Sequence, residues 1–429
     1  MKKQSTRQVN SSHPQAVPAI VIGLDCMTGL QTARVLAARH IPVIGIASDP
    51  SHPCCRTWVC QQILYADTGS EDFIHTLETL GPTLRQQAVL FPCTDMSVLT
   101  ISQNRQRLTE WYHMALPVHE TIEMLMDKVR FYTYAAEAGL PIPTTFFLRS
   151  RADVEKAAAH LTYPCILKPP FKTPTWEQNT KAKVYKAESA EELLELYNRC
   201  SAWADVLMVQ DWIAGPDTNL YSCNCYFDGN SEPLVTYVTR KLRQWPLETG
   251  TGCLGVEERN DVVLQGSLQL FKSVNYHGLG YVEMKRDENS GEHFIIEPNV
   301  GRPTGRSAMA ESGGVEILYT KYCDLLGLPL PANREQSYGG LKWVYLRRDL
   351  QAAFATWRKG DLTLKEWWQS LQGKKCYAAF SWRDPVPFFS DFAKAFNKFG
   401  GRRSPADVRT APAMSPPPTR LAERGQSDL

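Results

Sequence analysis

Apolar residues fall into short runs closed by turns, and in the first 120 positions these runs alternate with helical periods. Ala19-Ile-Val-Ile22 reads as a buried strand, residues 30–39 as a helix, and Ile41-Pro-Val-Ile-Gly-Ile46 as a strand that closes at Asp49. Val89-Leu-Phe91 is another strand, closing at Thr94 and Asp95. Strands that alternate with helices predict a parallel, doubly wound sheet. Residues 121–139 are helical, and Gly139-Leu-Pro-Ile-Pro143 stops them. Strands are then expected at 145–148, 165–168, from 183, and at 206–210, 221–227 and 234–239, with helices at 190–200 and 315–326. Residues 340–400 are rich in Trp and Phe and predict a compact appendix. The polar start and the Pro- and Arg-containing end predict disorder.

One apolar run carries the most chemistry. Phe294-Ile-Ile-Glu-Pro-Asn-Val-Gly-Arg302 ends in Glu297 and Asn299, two residues apart and therefore on one face of a strand. Upstream, Tyr281-Val-Glu-Met-Lys285 puts Glu283 on a second apolar segment. Two carboxylates and an amide on neighbouring strands make a hard oxygen site of the kind Mg²⁺ uses, completed by water and phosphates. Any one of these residues alone is better read as the polar edge of a sheet. Lys168 changes that balance, because a lysine ending the apolar run Tyr163-Pro-Cys-Ile-Leu-Lys168 is costly unless its ammonium finds an anion.

Composition narrows the class. A chain of 429 residues has room for two or three domains. Its 43% apolar and 21% charged content is that of an ordinary globular protein, and a net charge of +2 makes no case for nucleic acid. Nine histidines show no paired metal spacing. Of the twelve cysteines, Cys165, Cys223 and Cys225 sit in apolar or strand-like runs, as small hydrophobes do in a reducing compartment, and the cluster Cys54, Cys55 and Cys60 fits no zinc pattern. The start lacks a signal-peptide core, and no run approaches a membrane span, so a cytoplasmic protein is expected. Gly23-Leu-Asp-Cys-Met-Thr-Gly29 misses the dinucleotide spacing, and Asp49 before Pro50 reads as a turn former, so NAD binding is weakly supported.

The ordered set Met126-Asp-Lys128, Gly139-Leu-Pro-Ile-Pro143, Lys168, Val209-Gln-Asp-Trp-Ile-Ala-Gly215, Glu283 and Glu297-Pro-Asn299 resembles the ATP-grasp superfamily, specifically its carboxylate–amine ligases, including D-aspartate-ligase-like enzymes. The similarity covers roughly residues 20–330. It implies an α/β and α+β fold: a tail at 1–17, a Rossmann-like domain at 18–120, ATP-grasp subdomains at 121–205 and 206–330, a C-terminal aromatic-rich appendix at 331–400 and a tail at 401–429. ATP would lie between the two subdomains. Lys128 and Lys168 match its phosphate lysines, with Lys183 in support; Gln210, Asp211, Trp212 and Ile213 match the adenine-reading hinge; Asp217 would meet the ribose. Glu283, Glu297 and Asn299 match the Mg²⁺ ligands, with Mn²⁺ as a substitute. A substrate carboxylate would attack the γ-phosphorus, and an amine would open the acyl phosphate. Arg302 is the first candidate for the transferring group or the substrate carboxylate, Lys241 the second, then Arg240, Arg243 and Arg306.

The glycine-rich phosphate loop of many members is absent: residues 169–183 contain no glycine, and either Thr173, Thr175, Lys181 and Lys183 serve as a mobile basic lid or the loop serves substrate binding. Phe388, Phe389, Phe392, Phe396 and Phe399 recur at helical spacing with Lys394 and Lys398, which leaves peripheral membrane contact open beside docking on the protein itself. Small acid and amine substrates are the expected partners, with a homodimer as the default. The rivals are a nicotinamide oxidoreductase and a nucleotide-binding scaffold without turnover.

Overall fold

The computed structural model describes residues 16–399 apart from 172, 248 and 249, and of residues 396–399 the backbone alone. The tails expected at 1–17 and 401–429 lie outside it, except for Ala16 and Val17. The chain divides into two compact units. The first joins the residues up to Pro143 to Ile213–Asn397, and the second is built on Thr144–Trp212.

The first unit opens with a parallel sheet of β1 (Ala19–Ile22), β2 (Val43–Ala47), β3 (Gln62–Tyr65), β4 (Ala88–Pro92) and β5 (Tyr112–His113), in the order β3-β2-β1-β4-β5. β1, β2 and β4 are buried along their whole length, which is why they read as continuous apolar runs. The order reverses at β1, so the loops after β1 and β4 open a crevice at the strands' C-terminal ends. Gly29 serves close packing there: a Cβ on it would lie 2.2 Å from the Gly23 carbonyl oxygen. Cys26 caps the following helix, accepting from the Gly29 amide.

The second unit holds β6 (Thr145–Leu148), β7 (Cys165–Lys168), β8 (Tyr185–Ala187) and β9 (Leu207–Asp211), antiparallel in the order β6-β9-β7-β8. Leu148, Cys165, Leu167, Leu207 and Val209 form its core with helices Arg151–Ala158 and Ala190–Cys200. The glycine-free segment between β7 and β8 is anchored, where a mobile lid was one of the two expectations. Trp176 is buried in that core, its indole N–H donates to the Ala182 carbonyl, and Thr173 caps the helix Pro174–Asn179. Lys183 precedes β8, which begins at Tyr185.

The remaining strands return to the first unit: β10 (Leu220–Phe227), β11 (Pro233–Trp245), β12 (Thr251–Glu257), β13 (Gly278–Arg286), β14 (His293–Val300), β15 (Lys342–Val344) and β16 (Lys375–Tyr377). They form one sheet, β14-β13-β10-β11-β12-β15-β16, antiparallel except for the β15–β16 pair. The aromatic-rich C-terminal segment therefore extends this sheet. Asp384 is buried where it accepts from Arg34 and from the Thr57 hydroxyl, which binds the segment to the first sheet. All twelve cysteines are free and nine are buried, consistent with packing roles. Among the described residues no helix is long and apolar enough to cross a membrane.

Lys321, on helix Ile317–Leu325, is fully buried and donates to the Leu90 carbonyl at 2.9 Å. Burial pulls its pKa down to about 7. The unfolded chain then holds one more proton than the folded chain between pH of about 7 and the ordinary lysine value of about 10.5, so stability rises with pH across that window. Urea denaturation at neutral and alkaline pH should show this rise in the native chain and a flatter response in Lys321→Met. At neutral pH the variant should gain up to a few kcal/mol. Parallel responses would mean that Lys321 stays protonated in the core.

Candidate functional site

In the second unit, alternation along β7 turns Cys165 and Leu167 into the core and Ile166 and Lys168 to the opposite face. Register places Met208 beside Lys168, and both Gln210 and Lys186 beside Ile166, on that same face. Lys183 is exposed just before β8. The hinge side chains are already engaged. The Gln210 amide donates to the Thr145 hydroxyl at 2.9 Å, Asp211 accepts from the Thr162 amide at 2.8 Å, and the Trp212 amide donates to the Pro164 carbonyl at 3.1 Å. The Lys186 ammonium lies 5.6 Å from the Trp212 ring centre. Any reading of a base by this segment therefore falls to main-chain atoms and the indole face.

In the first unit, Ile213 offers its carbonyl to the Lys285 ammonium at 2.8 Å. Burial lowers the Lys285 pKa, against the opposing pull of Asp217, Asp287 and Glu288. Asp217 accepts from the Gln244 amide at 2.7 Å, and the Gln244 oxygen accepts from Lys241 at 3.2 Å. Lys241 in turn stands 3.7 Å from Glu283. A chain of contacts thus runs from Asp217 to Glu283 along one sheet face.

Glu283 on β13 lies directly opposite Glu297 on β14, and Tyr281 opposite Asn299. A register shift after Glu283 lets the Pro-containing strand hold this pairing. Each carboxylate has an ammonium partner: Lys241 for Glu283, and Lys128 for Glu297 at 3.6 Å. Lys128 is the first residue of helix Lys128–Glu137, whose N-cap is Asp127. The Asn299 oxygen accepts from Arg302 at 2.6 Å.

Arg302 follows β14 through Gly301, whose φ of +72° and lack of a Cβ let the chain turn against Val98 and Leu116. Its guanidinium also pairs with both oxygens of Asp95, the residue after the β4 loop, and lies 5.6 Å from the Tyr281 ring centre. Burial opposes the charge, but Tyr281 and Asp95 outweigh it and hold the Arg302 pKa above its ordinary value. Arg306, on helix Gly305–Ser312, stacks over Trp343 at 4.9 Å. Burial lowers its pKa, with Glu283 the main opposing charge, and no ion pair within 4 Å joins it among the described residues. Arg240 instead meets Glu258 and the Thr218 carbonyl. Arg243 is paired with buried Asp349 at 2.8 Å and with Ser370. Two of the three arginines ranked after Lys241, Arg240 and Arg243, are therefore engaged away from the carboxylate pair.

The donor set suits a hard cation. Glu283, Glu297 and Asn299 present only oxygens, and the carboxylates keep 29% and 46% of their side-chain surface accessible. Among the described residues no group of three or more His, Cys, Asp or Glu could hold a metal by itself, so water and ligand oxygens would complete the shell.

This architecture has known counterparts. Structures of N5-carboxyaminoimidazole synthetase from Staphylococcus aureus (TM-score 0.57, 15% identity, 74% of this chain and 78% of that one) and of the biotin carboxylase domain of Hydrogenobacter thermophilus 2-oxoglutarate carboxylase (TM-score 0.56, 16% identity, 75% and 72%) are similar. By sequence, D-aspartate ligase of Enterococcus faecium is 26% identical over 231 residues, 51% of this chain and 54% of that protein. D-alanine–D-alanine ligase of Methylococcus capsulatus is 32% identical over 183 residues, 41% and 55%. The chain shares the fold of the synthetase and the carboxylase domain and is similar in sequence to these two ligases. It spans about half the length of these two ligases. No family model matches it. The resemblance to ATP-grasp carboxylate–amine ligases thus agrees with both comparisons.

Sequence reasoning passed over Lys285, Gln244 and Lys186. The first had a visible signal, since it shares a strand face with Glu283 two residues away. The others depend on cross-strand register.

Proposed function

We propose that this protein is an ATP-dependent carboxylate–amine ligase of the ATP-grasp superfamily. The observation that carries the reading is the in-register Glu283–Glu297 pair, each carboxylate balanced by a lysine and flanked by the Arg302–Asn299 contact. Lys168, Lys183 and the 210–213 main chain are assigned to ATP, with Lys128 at its phosphates and Asp217 at its ribose. Glu283, Glu297 and Asn299 would hold Mg²⁺, or Mn²⁺ in its place, which when bound neutralises phosphate charge.

In the reaction, a substrate carboxylate oxygen bonds to the γ-phosphorus as the bond to the β,γ-bridging oxygen breaks, releasing ADP. The amine nitrogen then bonds to the acyl carbon, the carbon–oxygen bond to phosphate breaks, and the nitrogen loses a proton. Arg302 is assigned to the substrate carboxylate, whose oxygens would replace those of Asp95 in its fork, with Lys241 and Arg306 as charge for the transferring group. No protein nucleophile is required.

The parallel sheet at 18–120 is read as a Rossmann-like domain that chooses the acid, 121–205 and 206–330 as the ATP-grasp subdomains, and 331–400 as an added C-terminal segment. A cytoplasmic homodimer acting on a cell-envelope or polysaccharide precursor completes the reading. The test is a coupled assay for ADP release over pairs of small acids and amines. ADP that appears only when acid and amine are both present supports the ligase. Nucleotide binding with no ADP release over a broad panel would favour the scaffold.

A further inference from the structure

Eight of the sixteen large apolar side chains exposed among the described residues fall within residues 350–389. Five lie on two consecutive helices. On Leu346–Lys359, Leu350, Phe354 and Trp357 recur at i, i+4 and i+7, exposed by 40%, 58% and 50%. On Leu364–Ser370, Leu364 and Trp368 recur at i and i+4, exposed by 70% and 63%. Residues this far apart share one helix face.

The adjoining side of the first helix packs inward. Asp349, Ala352 and Ala353 are buried, and Asp349 is tied to Arg243 and the Trp367 indole. The helix is therefore held in register with its aromatic stripe turned outward. Burial of the stripe in the protein's own core is excluded.

Charge identifies the occupant. Residues 346–375 carry seven basic and three acidic residues, a net +4 where the whole chain has +2. One of the three acids, Asp349, is buried and paired, so the outer surface is more basic still. Exposed Arg358 and Lys365 adjoin Trp357 and Leu364 in sequence, exposed Lys374 follows the second helix, and the Arg358 guanidinium lies 6.0 Å from the Phe354 ring centre. Trp, Phe and Leu on one face with Lys and Arg beside them is the composition of a surface that enters the headgroup layer of an anionic bilayer.

The element differs from the one the phenylalanine spacing suggested. Phe388 packs edge-on against Phe380 and tilted against Phe392, and Lys394 approaches Asp49, while Phe396 and Phe399 lie beyond the described side chains. We infer that the exposed apolar side chains of helices Leu346–Lys359 and Leu364–Ser370, with the cations near them, dock the protein on an anionic lipid surface. This inference stands apart from the proposed chemistry.

The test is co-sedimentation of the full chain with vesicles of phosphatidylcholine alone and of phosphatidylcholine with phosphatidylglycerol. Binding should appear only with the anionic vesicles and fall in high salt. In Phe354→Ser/Trp357→Ser the partition should fall at least tenfold. In Arg358→Glu/Lys365→Glu/Lys374→Glu it should fall on the order of 100-fold, because each surface cation contributes about 1 kcal/mol near such a membrane. Unchanged circular dichroism in both variants separates lost binding from lost folding. Absence of binding to anionic vesicles, equal binding to neutral ones, or a solution dimer that Phe354→Ser/Trp357→Ser dissolves would overturn it.

Discussion

Glu297→Gln should lose ADP-forming turnover by a factor on the order of 10³, and Glu283→Gln should do the same, because each removes an anionic oxygen from the proposed cation site. The substitution keeps the side-chain shape and deletes one charge. Its structural cost is small: Glu297 and its partner Lys128 are both well exposed, and such pairs contribute at most about 1 kcal/mol. Glu283 is more enclosed beside Lys241, so its variant needs a folding control. Thermal unfolding supplies that control and a second readout together. The free variants should melt close to the native chain. Mg²⁺-ATP at a hundredfold excess over its dissociation constant should stabilise the native chain by about 2.7 kcal/mol and the variants much less. If both variants keep the full nucleotide shift and the full turnover, the carboxylate pair is not the cation site.

The two variants also differ in a way that tests the geometry. In Glu283→Gln the Lys241 ammonium, 8% exposed, loses its anionic neighbour and keeps neutral amide oxygens, that of Gln244 among them. Removing Glu297 releases Lys128, which is free to swing into water. Loss of activity in both, with a larger loss of stability in Glu283→Gln, is the pattern expected of one cation site with an enclosed and an open side.

Much of this arrangement was legible in the chain because its signals are local. Glu297 and Asn299 share a face by period alone, and Lys168 stands out as a charge at the end of an apolar run. The parallel first sheet follows from fully apolar strands alternating with helices. What period cannot supply is register. That Glu283 faces Glu297 depends on an irregularity after Glu283. Which arginines reach the site depends on partners distant in sequence: Arg243 is claimed by Asp349, over a hundred residues on, and Arg240 by Glu258. The turn at 23–29 looked like a failed dinucleotide fingerprint because its glycines answer to packing, which a phosphate-binding pattern does not describe. The glycine-free segment looked mobile because its anchor, Trp176, was one aromatic among polar residues.

Arg302→Lys should lower kcat/KM on the order of 10²–10³-fold although it preserves the charge. The structure gives the guanidinium two jobs that a lysine cannot do together. One nitrogen donates to Asn299 at 2.6 Å, and the fork reaches both oxygens of Asp95, at the mouth of the first sheet's crevice. Arg302 therefore joins the proposed cation site to the loop that would face the acid substrate. An ammonium can replace one of these contacts but not the planar set. The loss should appear mainly in kcat and in KM for the acid, with KM for ATP little changed. Asp95→Asn keeps a hydrogen-bond acceptor for Arg302 and should cost about tenfold, roughly the weakening expected when a charged partner becomes neutral. A lysine variant with native kcat/KM would remove Arg302 from the reaction and leave it a strut between β14 and the β4 loop.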